Sequence, residues 1–387
     1  MIKPYRSFLF FAAFFFTAMF VLEHVNRRFW LNDFRVFWSA SDALLHGQPV
    51  YGLPFGENTG FYKYSPFAAI LLSPLALLSF GTASVIWYWS IALATVASII
   101  MLHRLLERHV FKQVAPRANL LLSLSLLCVG NHMVRELHLG NVNVLLLLLA
   151  VLAYRMSSER PLVAGALLAL LFMVKPYLGI LFIPFLLRGQ WKLIAAGKGA
   201  GILMLALPLL FGVSDALVLH REWLQAMAQH SGYLGSSNTI ASLVHRATGI
   251  ADTTPLQLGI IAAALVVIAT VAYRLRKPSP QRGATYLLFF CTLALVPNLV
   301  ITDTQHFLFA LPLSAFVLHH LFHRRDVPVL MAFVAICILH GANSSDLLGG
   351  DLSDRVSAWG VLGVANMLLI GLCVVITGRD RAISPTP

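Results

Sequence analysis

The residues able to do chemistry sit in short polar islands between long apolar runs. The first island contains Asp33, in Asn32-Asp33-Phe34-Arg35-Val36-Phe37-Trp38. An Asp here either caps an interfacial helix or acts as a general base on an incoming hydroxyl. Lys63 and Tyr64 follow, in Phe61-Tyr62-Lys63-Tyr64-Ser65-Pro66. Aromatics around a lysine at a helix entry suit an interface anchor, and equally a sugar face or a phosphate. Arg135-Glu136-Leu137-His138-Leu139-Gly140-Asn141-Val142-Asn143 reads as a turn that holds two charges, a histidine and two asparagines between apolar spans. Polar groups at membrane depth are costly in lipid and face a cavity or each other. Arg135 and Glu136 can pair with each other or meet headgroups, and Asn141 and Asn143 can cap the next helix. Lys175, in Met173-Val174-Lys175-Pro176-Tyr177, either snorkels or holds a phosphate as a hydrated point charge. Asp303 and His306 are three apart at a helix start, where they serve as a cap or as ligands for a sugar hydroxyl or phosphate. Ser236-Ser237-Asn238-Thr239 reads as a cap for a short helical stretch ending near His245 and Arg246.

These islands are positioned by membrane helices. Of 387 residues, 58% are hydrophobic and only 11% charged, and the mean hydropathy is +0.79. A soluble domain carries about a quarter charged residues. Twelve apolar runs are candidate spans, at 8–22, 82–102, 118–134, 140–155, 161–174, 176–187, 193–212, 255–273, 283–300, 306–322, 327–341 and 355–377. The expected fold is an all-α polytopic membrane protein of about 12 transmembrane helices, a single integral domain over 1–387. The run 8–22 is expected to be an uncleaved first span, because no small-residue cleavage site follows it. The segment 66–80 is short and carries Pro66 and Pro74, so it is expected to lie in one leaflet.

The net charge of +12 is not a nucleic-acid signature here. With both termini cytoplasmic and 66–80 not crossing, almost every Lys/Arg cluster falls on one face, as positive-inside requires. The opposite face then receives 23–65, with an amphipathic helix after the first span, the turn at 135–140, Lys175, a long loop at 213–254, Asp303 to His306 and 342–354. The four cysteines lie in separate apolar runs with neither metal nor disulfide spacing. No internal repeat supports an inverted-repeat transporter.

In order and spacing these segments resemble the family 87 glycosyltransferases, enzymes of the polyprenyl-phosphate-mannose type with the GT-C fold. Asp33 to Tyr51 is similar to the family's opening: an Asp soon after the first helix, an alanine-rich stretch, then Gly and Tyr. Tyr64-Ser65-Pro66 with Ser73-Pro74-Leu75 is similar to its aromatic-x-Pro and Pro-Leu run. Gly140-Asn141-Val142-Asn143 resembles a Gly-Gln-x-Asn element with Asn141 in place of Gln, and Gly165 with Lys175-Pro176 resembles a Gly then Lys-x-x-Pro pair in which Pro directly follows Lys. Asn238 with Arg246 and the late His306 also fit. The resemblance implies inverting transfer of a sugar, commonly mannose, from a polyprenyl phosphate to a lipid or glycan hydroxyl on the non-cytoplasmic side of a bacterial inner membrane. Asp33 is then the base, with Glu136 as second choice. Lys175, Arg135, His306, Lys63, Tyr64, His138, Asn141, Asn143, Asp303, Asn238 and Arg246 are the donor-binding candidates. The leaving group is already an anion, so neither a metal nor another cofactor is expected. A transporter or lipid-linked sugar flippase is the main alternative, and a structural subunit another. Convergence of Asp33, Lys175 and His306 on one cavity separates the enzyme from the last of these.

Overall fold

A computed structural model describes residues 5–55, 60–229, 237–274, 282–341 and 348–383. The described residues are helical throughout, apart from turns and one isolated bridge between Pro54 and Phe61. Among the described residues six helices are long and apolar enough to cross a membrane: Arg6–Val25, Phe80–Phe111, Trp191–Phe211, Thr254–Arg274, Thr304–His323 and Val361–Gly378. The other expected spans correspond to shorter apolar helices or to a bent pair.

Six helices position the site: α1 (Arg6–Val25), α2 (Asn32–Leu45), α3 (Pro66–Ala76), α4 (Phe80–Leu105), α5 (Ala118–Cys128) and α6 (Gly130–Leu139). They are joined by α7 (Asn143–Met156) and α8 (Pro161–Val174). The amphipathic α2 buries Phe34, Phe37, Ala40 and Leu44. Phe34 stacks on Trp87 of α4 with ring centroids 4.8 Å apart, and Phe37 meets Tyr64 at 4.3 Å. Those aromatic contacts fix the first turn of α2, which carries Asp33. The 11 residues of α3 fall short of the roughly 20 needed to span hydrocarbon. Ser65 caps α3 and its hydroxyl donates to the Met173 carbonyl at 2.5 Å, tying this helix to the end of α8.

Several expectations change. The run 118–134 is not one continuous helix: α5 and α6 are bent by 62°. Arg135, Glu136 and His138 therefore lie on a helix, and the turn is confined to Gly140–Val142. Gly140 ends α6 at φ +66°, and a Cβ there would sit 2.9 Å from that of Phe34. Only glycine allows this close approach of α6 to α2. The segment 213–254 is largely helical, as Val213–Gln229 and Ile240–Thr248; residues 230–236 lie outside the described set. The last apolar run is divided into Gly350–Ala358 and Val361–Ile383 by a turn at Gly360, φ +68°. Of the segment 342–354, residues 342–347, including Asp346, lie outside the described set.

Pro176 breaks the helix at Lys175. Pro176 disfavours the helical region for the residue before it, and Lys175 adopts φ −134°, ψ 99°. A 3-10 turn over Pro176–Phe182 follows. Another 3-10 turn, Thr304–Ala310, leads into Leu311–His323. Below them Gly165 lies against Gly197, where an added Cβ would come 2.2 Å from the Leu193 carbonyl. Small residues let membrane helices approach this closely. Cys128 and Cys337, free thiols on different helices, face each other at 3.8 Å.

Candidate active site

Where α2, α6 and α8 end or begin, a cavity of about 580 Å³ opens. Its polar wall includes Asp33, Lys63, Arg135, Asn141, Lys175, Asp303, Gln305 and His306; Val36, Phe61, Leu139, Met227 and Ile301 give it an apolar side. Asp33, Lys175 and His306, far apart in sequence, thus face one space.

The hydrogen bonds form an ordered network. The Lys175 ammonium donates to Asn143 Oδ1 at 2.7 Å, to His306 Nε2 at 2.8 Å and to Asn141 Oδ1 at 3.3 Å. Because Asn141 presents its oxygen to Lys175, its amide nitrogen faces Asp33 and donates to Oδ2 at 2.5 Å. Asn143 likewise turns its nitrogen to Glu136 Oε2 at 2.9 Å. His306 accepts from lysine at Nε2, so its Nδ1–H donates to the Asp303 carbonyl at 3.0 Å; this sets a neutral tautomer. Arg135 donates to both Asp303 carboxylate oxygens, at 3.0 and 3.3 Å, and to Gln305 at 3.2 Å.

This geometry revises several local readings. Asp33 does not cap α2, whose N-cap is Leu31 without a side-chain bond. Asn143 does not cap α7, and Arg135 pairs with Asp303 rather than Glu136. Glu136 is fully buried and lies behind Asn143, away from the cavity wall, which does not suit a base that must touch an acceptor. Lys175 is only 4% exposed and spends its donors within the protein. It acts on the cavity chiefly through its charge, while Lys63 and Arg135 are the more accessible cations. Asp303 does cap its 3-10 turn, accepting from Thr304 N–H, while also holding Arg135.

Besides Glu136 and Asn143, which stand behind the cavity wall, three candidates are not brought to the cavity. His138 pairs with Glu23 at 2.8 Å. Asn238 accepts from the amide of Asn298 and from Gly363 N–H. Arg246 donates to the carbonyls of Ala358 and Ser237. Asn238 and Arg246 join helices at another part of the bundle. Gln305 and Tyr177 line the cavity, unread in the sequence although each neighbours a singled-out residue.

Asp33 is electrostatically tuned. Burial pushes its carboxyl above the ordinary value of 3.8; the Asn141 hydrogen bond opposes this, nearby Asp303 adds to it, and Lys175 and Lys63 pull it back. Burial lowers Lys63 below the usual lysine range, with Asp33 and Asp303 opposing. A carboxylate made more basic beside a cluster of cations can take a proton from a hydroxyl while an anion departs. Among the described residues no group of three or more His, Cys, Asp and Glu side chains could hold a metal ion.

Fold and site define a helical, membrane-embedded protein with a cavity between helix ends lined by acidic and basic side chains. The chain belongs to Glycosyltransferase family 87, whose sequence profile matches residues 61–302. It is 25% identical over 299 residues to the polyprenol-phosphate-mannose-dependent alpha-(1-2)-phosphatidylinositol pentamannoside mannosyltransferase of Mycolicibacterium smegmatis, covering 74% of this chain and 69% of that one. It is 27% identical over 172 residues to an alpha-(1->3)-arabinofuranosyltransferase of Corynebacterium glutamicum, covering 43% and 39%. A similarly named protein of Mycobacterium tuberculosis is 28% identical over 214 residues, covering 53% and 47%. The chain thus spans less than half the length of these arabinofuranosyltransferases. No solved structure matches.

Proposed function

We propose that the protein transfers a sugar from a polyprenyl phosphate to an acceptor hydroxyl of a lipid or glycan on the non-cytoplasmic side of the membrane. The observation that carries this reading is the shared cavity: Asp33 lines it together with Lys63, Arg135 and Lys175, beside an apolar side suited to a prenyl chain. In the reaction, Asp33 takes the acceptor hydroxyl proton as the acceptor oxygen bonds to the anomeric carbon. The bond from that carbon to the phosphate oxygen breaks, and polyprenyl phosphate leaves with both electrons. Lys63 and Arg135 meet the developing phosphate charge, and Lys175 supports it from behind. A single displacement inverts the anomeric centre. The outward placement is supported by the distribution of Lys and Arg among the loops.

Membership in a glycosyltransferase family supports transfer over a transporter or flippase role. Mannose is our first choice of donor sugar. Because relatives are named for mannose and for arabinofuranose, the test uses both. Purified protein in liposomes is incubated with radiolabelled polyprenyl-phosphate mannose or arabinofuranose and a lipid extract. A new labelled glycolipid with the inverted linkage is expected. Transport of intact donor across the bilayer, without transfer, would instead support a flippase.

A further inference from the structure

Two of the three hydrogen bonds that Lys175 donates form arms that lead through an amide to a carboxylate; the third goes to His306. One runs from the Lys175 ammonium through Asn141 to Asp33, a residue of the cavity wall. The other runs through Asn143 to Glu136, which is completely buried. Both Glu136 oxygens face donors: Oε2 the Asn143 amide at 2.9 Å, and Oε1 the Val144 backbone N–H at 3.0 Å. A protonated carboxyl would turn an O–H against one of them. The arrangement therefore calls for a carboxylate, and a buried carboxylate calls for a nearby cation. Lys175 donates to no carboxylate; Glu136 and Asp33 each lie one amide away, and Asp303 lies beyond His306 with its carboxylate on Arg135.

We propose that Glu136 is a positioning residue that acts through Asn143 to keep Lys175 an ammonium ion throughout turnover. Its use in catalysis rests on the function proposed above. When Asp33 accepts the acceptor proton, its arm loses its negative charge. At that moment the leaving phosphate most needs a cation. Glu136, sealed from the cavity, keeps its charge, and Asn143 keeps its oxygen on Lys175. A carboxylate in reach of the substrate could not serve this purpose, since it would titrate with the reaction or repel the phosphate.

Glu136→Gln puts an NH2 group where one of two oxygens accepted. Either it faces the Val144 N–H, or Asn143 must flip and aim its own NH2 at Lys175. Adding Asn143→Asp restores the pattern with the charge moved one link: Asp at 143 accepts from Lys175 and from the Gln amide, and the Gln oxygen accepts from Val144. The test is competitive acetylation with acetic anhydride near pH 8, because an amine reacts and an ammonium does not. Mass spectrometry reads Lys175 labelling relative to Lys63, a lysine on the same cavity wall. The ratio is expected to rise about tenfold or more in E136Q and to return close to wild type in the double variant. An unchanged ratio overturns the proposal. So does an equal rise at both lysines, which marks a loosened fold, or a double variant that stays high. Turnover should fall and recover in parallel; unaltered turnover in E136Q removes the catalytic purpose. If wild-type protein transfers no sugar, the proposed function fails, and the labelling ratio still decides how Lys175 is held.

Discussion

Asp33→Asn separates a base from a merely structural carboxylate. The substitution preserves shape, and an Asn at 33 can still accept from the Asn141 amide through its oxygen, so the Asp33 Oδ2 bond of 2.5 Å has a replacement. What disappears is the negative charge and the oxygen that can take a proton. Loss or weakening of a hydrogen bond costs about 1 kcal/mol, or less than tenfold in rate. Loss of general-base catalysis costs about 10²–10⁴-fold. The two explanations therefore differ by at least a decade. Stability moves the other way. A carboxyl whose folded pKa is raised above its unfolded value favours folding below the unfolded pKa, and that contribution is lost as pH rises through the folded one. Asp33 is such a group, with burial as the main cause. D33N should match or exceed wild-type thermal stability at pH 7, with a smaller difference near pH 4. Wild-type kcat/KM should fall on acidification along a limb lying above the ordinary aspartate value of 3.8, and the variant should lack that limb. The assay is initial-rate transfer from a radiolabelled polyprenyl-phosphate sugar in liposomes across pH 4–8. A D33N enzyme with more than a tenth of wild-type turnover, or one retaining the acidic limb, would refute the base assignment.

Gly140→Ala forces a side chain into a left-handed conformation at φ +66° and against Phe34. It should cost about 1–3 kcal/mol in stability and lower turnover by displacing Asn141; equal activity and melting temperature in nanodiscs would contradict this. We propose that catalysis is independent of added divalent metal, so turnover should survive EDTA. Loss of activity restored only by Mg²⁺ or Mn²⁺ would count against that.

Asp33, Lys175 and His306 could be singled out in the sequence because each is a polar residue beside apolar runs, where solvation gives it little reason to be. Their meeting was not readable from spacing, since it depends on three separate chain segments. Arg135 and Glu136 mark the limit of that reading. Taken as neighbours in a turn, they read as a pair able to bind each other or meet headgroups. Once α6 extends to Leu139, successive residues point about 100° apart. Arg135 then reaches the cavity, while Glu136 turns into the core. Nothing in composition reveals a 62° bend after Cys128, and the run 118–134 reads as one continuous apolar segment. Asn238 failed for a different reason. A polar run before a helix signals a cap, and Thr239 indeed caps Ile240–Thr248, but the same polarity cannot tell a helix junction from a ligand site.

Part of the difference between about twelve expected spans and the six long helices among the described residues has a physical source in the site itself. The helices α7 and α8 each have 14 residues, too few for a full crossing. Neither is short for want of apolar residues; each is short because it begins or ends beside the cavity. Helix ends leave backbone N–H and C=O groups unsatisfied, and within a membrane such groups are tolerated only when buried in protein or facing a wet cavity. Here the ends satisfy one another. The α6 terminus at Gly140 gives its carbonyl to the Trp87 indole at 2.8 Å, and Val144 N–H of α7 goes to Glu136 at 3.0 Å. The Met173 carbonyl of α8 goes to Ser65. The broken helices leave the lysine, asparagines and aspartate at the break points, where their side chains meet. A continuous α8 would hold Lys175 in the helical backbone conformation instead of the extended one it adopts before Pro176. The interruptions at the ends of α6, α7 and α8 are thus the same interruptions that assemble the cavity.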